Sequence, residues 1–390
     1  MPGVIYLDNN ATTAVAPEVR EAMMPFIDQY WGNPSSIHRF GGQVAKHVER
    51  AREQLAALIG CEPTELLFTS CGTESDNTAI RSALAVTGRR HLVTTRVEHP
   101  AVLNLCRAIA ANGRGGEPAY RLTELPVDAA GLLHLPDLGE ALDDQTAVVS
   151  VMWANNETGV VFPIDKIGAM CRDHGILFHT DAVQMVGKCA MKVSQMPIDM
   201  LSLSGHKLHA PKGVGALYVR RGTRFSPWLI GGHQERNRRA GTEAVPLIVA
   251  LGAAAELAMK NLDMERTHVR ALRDRLESAL VAGCPDARVN GDRTARLPNT
   301  TNISFEYIEG ESILLMLDEF GVCASSGSAC TTGSLEPSHV MRAMGVPYTA
   351  AHGSIRFSLS VYNTQAEVDK VVEVMPPIIR RLREISPFGR

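Results

Sequence analysis

The chain has 390 residues, 45% of them hydrophobic, with 39 basic and 42 acidic side chains for a formal net charge of −3. That is roughly two to three domains' worth of chain, enough to bury a large core without disulfides or a structural metal. The near-balanced charge argues against a nucleic-acid or acidic-membrane partner, and the ordinary apolar content excludes intrinsic disorder.

Asp8 interrupts the only early apolar stretch, Val4 to Leu7, and the first basic residue is Arg20, so no secretory or transit segment is expected. From about residue 65 to 220, short apolar runs alternate with amphipathic stretches. Glu65–Ser70, His91–Thr95, Ala147–Trp153, Gly175–Thr180 and Met200–Leu203 read as buried strands, with helical segments at Glu74–Val86, Ala101–Ala111 and Ile164–Asp173. Such alternation predicts a mainly parallel sheet covered on both faces. After Thr242 the texture changes. Ala244–Lys260 and Met264–Leu280 read as long helices, followed by strand-like Thr301–Phe305 and Ser354–Leu359 and helical Glu311–Phe320 and Ala366–Glu384. The apolar run Pro246 to Ala255 ends at Glu256, short of the roughly 18 residues of a membrane span, and reads as a buried helix. Eight cysteines (Cys61, Cys71, Cys106, Cys171, Cys189, Cys284, Cys323, Cys330) contain no Cys-x-x-Cys pair. They read as reduced thiols of a cytoplasmic protein rather than as a zinc site or a disulfide framework.

Five stretches carry candidate chemistry. Between the first strand and its helix, Gly72 permits a tight turn, and Thr73, Ser75 and the free amides of the helix start suit a phosphate. A plain capping turn uses the same residues, and no Gly-Lys-Ser/Thr follows as in a P-loop. The run Gly175–Thr180 leads into Asp181, at the strand end where α/β folds bind ligands. A carboxylate there suits a protonated pyridine nitrogen and equally a helix N-cap. Lys207 follows Met200–Leu203 among small residues with few charges. Desolvation there would lower its pKa and free its amine for a Schiff base, whereas Lys212 reads as a snorkelling surface lysine. His206 and His209 are three apart but have no third ligand nearby for a metal.

The stretch Ala324 to Ser334 is almost wholly small and polar, so an exposed, mobile loop is expected. Cys330 in its middle is either an accessible nucleophile or a chance loop cysteine; Cys323 reads as core. Finally, Gly353–Ser360 alternates, with Ile355, Phe357 and Leu359 on one face and Ser354, Arg356, Ser358 and Ser360 on the other. A lone arginine among serines suits bidentate capture of a carboxylate, but spacing alone favours a solvated strand face. An amine, a phosphate cradle, an acid for a ring nitrogen, a carboxylate clamp and a thiol are together the parts of a pyridoxal-phosphate enzyme with an added sulfur nucleophile.

At the level of whole motifs, the chain resembles the cysteine desulfurases of the class-V aminotransferase family, and among them the nitrogenase-associated branch. The likeness runs from Tyr6–Thr13 through Gly32–Ser36, Ser150–Gly159, Gly205–Gly213, Gly232–Arg236 and Ser326–Thr331 to Arg356–Ser360. Ala210-Pro211 stands where the family commonly has Gly-Pro. The resemblance implies an α/β, fold-type I pyridoxal-phosphate enzyme. Its large cofactor-binding domain would span residues 14–258, and residues 1–13 and 259–390 would form a smaller α+β domain carrying the catalytic cysteine loop.

It further implies that Lys207 carries pyridoxal 5'-phosphate, that His99 stacks on the ring and assists proton transfer, and that Asp181 holds the ring nitrogen protonated. Asn156 and Gln184 would bond the ring's phenolic oxygen or its surroundings. Gly72, Thr73, Ser204 and His206 would receive the phosphate, with Gly205 also binding the cofactor and Thr242 reaching the phosphate from the other subunit of a homodimer. Arg356, assisted by Asn156, would bind the carboxylate of L-cysteine, and Cys330 would accept its sulfur, giving L-alanine and a persulfide. An iron–sulfur scaffold protein, serving nitrogenase, would receive that sulfur. A selenocysteine lyase or another carbon–sulfur lyase of the same family is the alternative. No metal, nucleic acid or membrane is expected to take part.

Overall fold

The computed structural model describes residues 3–111, 120–326 and 336–386. Its strands, in chain order, are β1 (Ile5–Tyr6), β2 (Leu66–Thr69), β3 (His91–Thr95), β4 (Arg121–Leu125), β5 (Thr146–Ser150), β6 (Leu177–Asp181), β7 (Met200–Ser204), β8 (Gly215–Val219), β9 (Ala287–Val289), β10 (Thr300–Phe305), β11 (Val322–Cys323) and β12 (Ser354–Ser358). Seven of them form one sheet in the order β2-β8-β7-β6-β5-β3-β4. The run β4-β3-β5-β6-β7 is parallel throughout, and β8 lies antiparallel between β7 and β2.

Why the central strands are buried at nearly every position follows from the layering. Successive strand residues point to opposite faces, and both faces are covered. Leu66 and Phe68 join one apolar cluster with Val93, Val149, Phe178, Leu201 and Leu203. Leu67 joins the other with Leu92, Val148, Met200 and Leu217, beneath the helices Gly72–Thr87 and Pro100–Ala111.

A separate apolar cluster unites Leu7 with Val269, Leu276, Phe305, Phe357, Val371 and Ile379. It lies on the three-stranded antiparallel sheet β12-β10-β9 and beneath the helices Arg270–Gly283, Gly310–Asp318 and Gln365–Ile385. The N-terminal β1 pairs in parallel with β11, which brings the first residues of the chain to this second core. Val340, Met341, Met344 and Ala351 pack instead against the core of the large sheet.

Two helical features differ from expectation. The helix Arg39–Ile59 has no counterpart in the sequence reading, because it opens on Arg39, Phe40, Gly41 and Gly42, a poor helix start by propensity. The structure caps it instead: His38 Nδ1 accepts from Gly41 N at 3.1 Å, and Gly60 ends it at φ +71°. Secondly, the two long helices read near 244–280 are one run. Val245–Met264 passes through a π-turn at Glu265–Val269 into Arg270–Gly283. Helical length thus does not stop at Glu256. Over an 18-residue window, Val245–Gly283 is apolar and long enough to cross a bilayer. Its apolar residues are spent on the core, where Val245, Ile248, Leu251, Ala254 and Ala255 are buried.

Gly252 sets how closely this run meets Arg39–Ile59, since a Cβ there would stand 2.6 Å from Ala51 Cα. Backbone cannot yield as a side-chain tip can. Gly252→Val is expected to lower unfolding free energy by about 1–3 kcal/mol, read from the midpoint of urea denaturation. An unchanged midpoint would mean that the two helices are free to separate.

Candidate active site

The carboxyl ends of β5, β6 and β7 open into a cavity of 370 Å³. Its wall holds Gly72, Thr73, His99, Asn156, Asp181, Gln184, Ser204, His206, Lys207 and Arg356. These residues span 285 positions of chain, and only the fold brings them together. Gly205 lies between two of the lining residues, in the one-turn 3-10 helix Gly205–Lys207 that ends β7. Thr242 is exposed and does not line this cavity. Cys330 lies outside the described residues.

Lys207 is turned under the N-terminal segment. Its Nζ donates to the carbonyls of Asn10 and Ala11, the latter at 2.7 Å. Burial lowers its pKa to about 7, assisted by the charges of Arg356 and Lys188. That segment is pinned across the site: Thr13 Oγ1 donates to His206 O at 3.0 Å and accepts from His209 N at 2.9 Å.

Asp181 ends β6. It does cap a turn, accepting from Val183 N at 2.9 Å, yet it also lines the cavity, so the two readings of this residue are not exclusive. Burial raises its pKa, and Asp76 beside it is pushed further up, by burial and then by the charge of Asp181.

At the other wall, His99 Nδ1 accepts from Ala101 N at 3.1 Å. That bond places the ring proton on Nε2, and burial followed by the charge of Lys207 lowers the pKa to about 4. The imidazole is therefore neutral. His206 is held likewise, its pKa lowered to about 4 by burial and its Nδ1 3.2 Å from Thr12 Oγ1. His209 does not join it; its Nδ1 bonds Ala14 O at 3.0 Å.

Some expectations change. Ser75 is not a phosphate ligand: its hydroxyl is fully buried, 2.8 Å from Thr69 Oγ1, and also donates to Cys71 O. Arg356 is not on a solvated face. Every residue of β12 is buried, because its polar side faces the N-terminal segment and the large sheet's loops instead of water. Arg356 Nη2 donates to Asp8 Oδ1 at 2.6 Å and Nη1 to Asn156 O at 3.1 Å. Its buried Nε has no partner among the described residues. Cys323 is half-buried in β11 rather than core.

Spacing alone did not single out Asn10, Asp76 and Asp8. Asn10 takes part in bonds to Lys207, Gln184, Asn156, Thr300, Asn299 and Ser358. The run Asp8-Asn9-Asn10, three turn-formers in a row beside apolar Leu7, was the available signal.

A helix start, an orphaned hydroxyl and a desolvated amine define what the cavity can hold. A Cβ at Gly72 would stand 2.8 Å from Val183 Cγ2, so glycine keeps the amide end of the helix Gly72–Thr87 open to the cavity. Ser204 Oγ is buried with no partner among the described residues, an arrangement that is costly unless a ligand satisfies it. Together they fit a phosphate. Asp181 fits a cationic ring nitrogen, and Lys207 an aldehyde.

Comparison with known proteins settles the lineage. Residues 5–371 match the family model for aminotransferase class-V. The chain belongs to the class-V aminotransferase family. Members of this family depend on pyridoxal phosphate, the cofactor that the cavity fits. Over 386 residues the chain is 61% identical to a protein named cysteine desulfurase from Trichormus azollae, covering 99% of this chain and 95% of that protein. It is 58% identical to cysteine desulfurase NifS of Azotobacter vinelandii over 386 residues, 98% of this chain and 94% of that one. A solved structure of a NifS-like protein superposes with a TM-score of 0.90 at 36% identity, covering 97% of this chain and all of that one. The α/β, fold-type I architecture read from the sequence is thereby borne out.

Proposed function

We propose that this class-V enzyme is a cysteine desulfurase, converting L-cysteine to L-alanine and an enzyme-bound persulfide that feeds iron–sulfur cluster assembly. The observation that carries this reading is the single cavity in which a desolvated lysine, a buried carboxyl and a buried arginine converge. The names of the relatives at 58–61% identity support the same conclusion.

Each residue's part is the one that the family resemblance implies, and its place at the cavity supports it. Gly72, Thr73, Ser204 and His206 would hold the cofactor's phosphate, with Gly205 between the last two, Asp181 would hold its ring nitrogen, and Asn156 and Gln184 would bond its ring oxygen or the surroundings of that oxygen. Bound there, pyridoxal phosphate supplies the electron sink that acidifies the amino acid's Cα and weakens its bond from Cβ to sulfur. Arg356, which lines the cavity, receives the substrate carboxylate, with Asn156 beside it. Lys207, increasingly neutral as pH rises through about 7, moves the Cα proton at its Nζ. His99, neutral with its proton on Nε2, would lie against the cofactor ring and assist proton transfer from that atom.

Cys330 then attacks the substrate sulfur as a thiolate. A sulfur–sulfur bond forms, the carbon–sulfur bond breaks, and its electron pair stays on carbon, which takes up a proton to become the methyl group of alanine. The sulfur, oxidised to the sulfane level in the persulfide, passes to an iron–sulfur scaffold protein, and the likeness to NifS supports nitrogenase as its destination.

We assign the enzyme to a cytoplasmic homodimer in which Thr242 reaches the other protomer's phosphate. Exposed Trp31, Ile37 and Ile230 offer apolar surface for a second copy, and seven free cysteines among the described residues suit a reducing compartment. Residues 14–258 would form the large domain and 1–13 with 259–390 the small one, a division that the separate core around Leu7 and Val269–Leu382 supports.

The test is L-alanine and sulfide release from L-cysteine with a reductant, for the wild type and Cys330→Ala. Both products are expected from the first and neither from the second, with cofactor absorbance equal in the two. Alanine from both would make the chain a lyase that does not need the thiol, the behaviour of a selenocysteine-type enzyme. Loss of the cofactor in Cys330→Ala would refute the separation of roles.

A further inference from the structure

A second cavity, of 290 Å³, lies where the π-turn at Glu265–Val269 meets the loop at residues 291–298. Lys188, Arg266, Arg270, Arg273, Arg293 and Arg296 line it, against Asp263 as the only lining carboxylate among the described residues. Counter-charges behind the wall do not balance these cations. Arg270 and Arg273 share Asp274, at 3.7 and 2.7 Å. Arg293 and Arg296 share Glu277, at 3.1 and 2.5 Å. Glu277 has no capacity left, since it also accepts from Thr301 Oγ1 at 2.7 Å. Arg266 is matched by Asp263 at 3.3 Å, and Lys188 faces Glu265. Arg296 also lies 3.8 Å from Asp274 and interacts with the charge of Asp292, so four guanidiniums face three carboxylates and a net positive charge remains around one hollow.

Two of these guanidiniums are deeply buried: Arg273 is 3% exposed, and the Arg296 side chain 5%. The Nε of Arg296 has no hydrogen-bond partner among the described residues. Burial and then the neighbouring charge of Arg296 disfavour the charged form of Arg273. A guanidinium cannot shed its proton in a protein, so relief must come from an added negative charge. Planar forks from several directions match the tetrahedral oxygens of phosphate better than they match a halide.

We propose that this cavity is a binding site, separate from the catalytic one, for a compact dianion of the phosphate class, free or on a small ester. An acidic protein segment is not the favoured occupant, because the two buried guanidiniums lie below a surface that a bulky chain would only cover.

The test uses the holoenzyme, so that the cofactor's own phosphate already fills the cradle at Gly72. Inorganic phosphate and glycerol 3-phosphate are titrated calorimetrically at constant ionic strength, with chloride as the control. One saturable site is expected for at least one of the two, and the stronger binder tells free ion from ester. Arg270→Gln with Arg293→Gln is expected to weaken that binding at least about tenfold. Both side chains are largely exposed, so the melting temperature without ligand should hold. Arg293→Lys, which keeps the charge and loses the fork, should fall between. Heat no greater than that of chloride, or undiminished affinity in the double variant, overturns the proposal.

Discussion

Lys207→Ala is expected to lower alanine formation from L-cysteine by at least about 10³-fold, the scale of loss for a covalent catalytic group. The reason lies in the placement of the amine. An ordinary lysine, with a pKa near 10.4, is about 0.1% neutral at pH 7.4. Burial and the charges of Arg356 and Lys188 bring Lys207 down to about 7, so that roughly half or more of it is the reactive free base at neutral pH. A second readout needs no turnover. The rate at which cofactor-free protein captures pyridoxal phosphate should rise with pH as the ammonium loses its proton, then level off just above pH 7. A rate still climbing toward pH 10 would mean that the amine is solvated and the desolvation argument fails.

Arg356→Lys is expected to lower kcat/KM for L-cysteine by about 10²–10³-fold, corresponding to roughly 3–4 kcal/mol, with most of the change in KM. Lysine keeps the charge, but Arg356 uses its whole fork. One nitrogen reaches Asp8 at 2.6 Å and another the Asn156 carbonyl at 3.1 Å, while the buried Nε has no partner among the described residues. A single ammonium cannot span those directions and also meet a carboxylate. Cofactor absorbance should be unchanged, since Arg356 touches substrate and not the phosphate cradle. A change confined to kcat with KM intact would remove Arg356 from substrate binding and make it a brace between β12 and the N-terminal segment.

Much of the large sheet was legible because parallel strands buried on both faces are rich in apolar residues, as in Ala147–Val149 and in Met200–Leu203, which only Ser202 interrupts. The strands that escaped notice lacked this signature. β4 lies at the sheet edge with polar Arg121, Thr123 and Glu124, and β8 follows a glycine- and proline-rich approach at Pro211 and Gly213 that reads as loop. Propensity likewise hid the helix Arg39–Ile59, which depends on the His38 cap and on burial of Val44, Leu55 and Ile59.

The site divides along the same line. Sequence by itself determined which residue types were available and, through whole motifs, the family and its chemistry: Lys207 after a buried strand, Asp181 at a strand end, Gly72 before a helix. Tertiary structure decided everything that depends on surroundings. Arg356 alternates with serines whether its face is wet or dry, and only β12 lying against Asp8 and Asn156 makes it a buried clamp. Ser75 and Ser204 look alike along the chain, yet one hydroxyl is bonded to Thr69 and the other is buried at the cavity wall with no partner among the described residues. Asn10 became central because residues 9–13 cross above Lys207, a contact between positions 197 apart. Hydrogen-bond partners and desolvation are set by what packs against a residue, and no spacing rule along one strand contains that information.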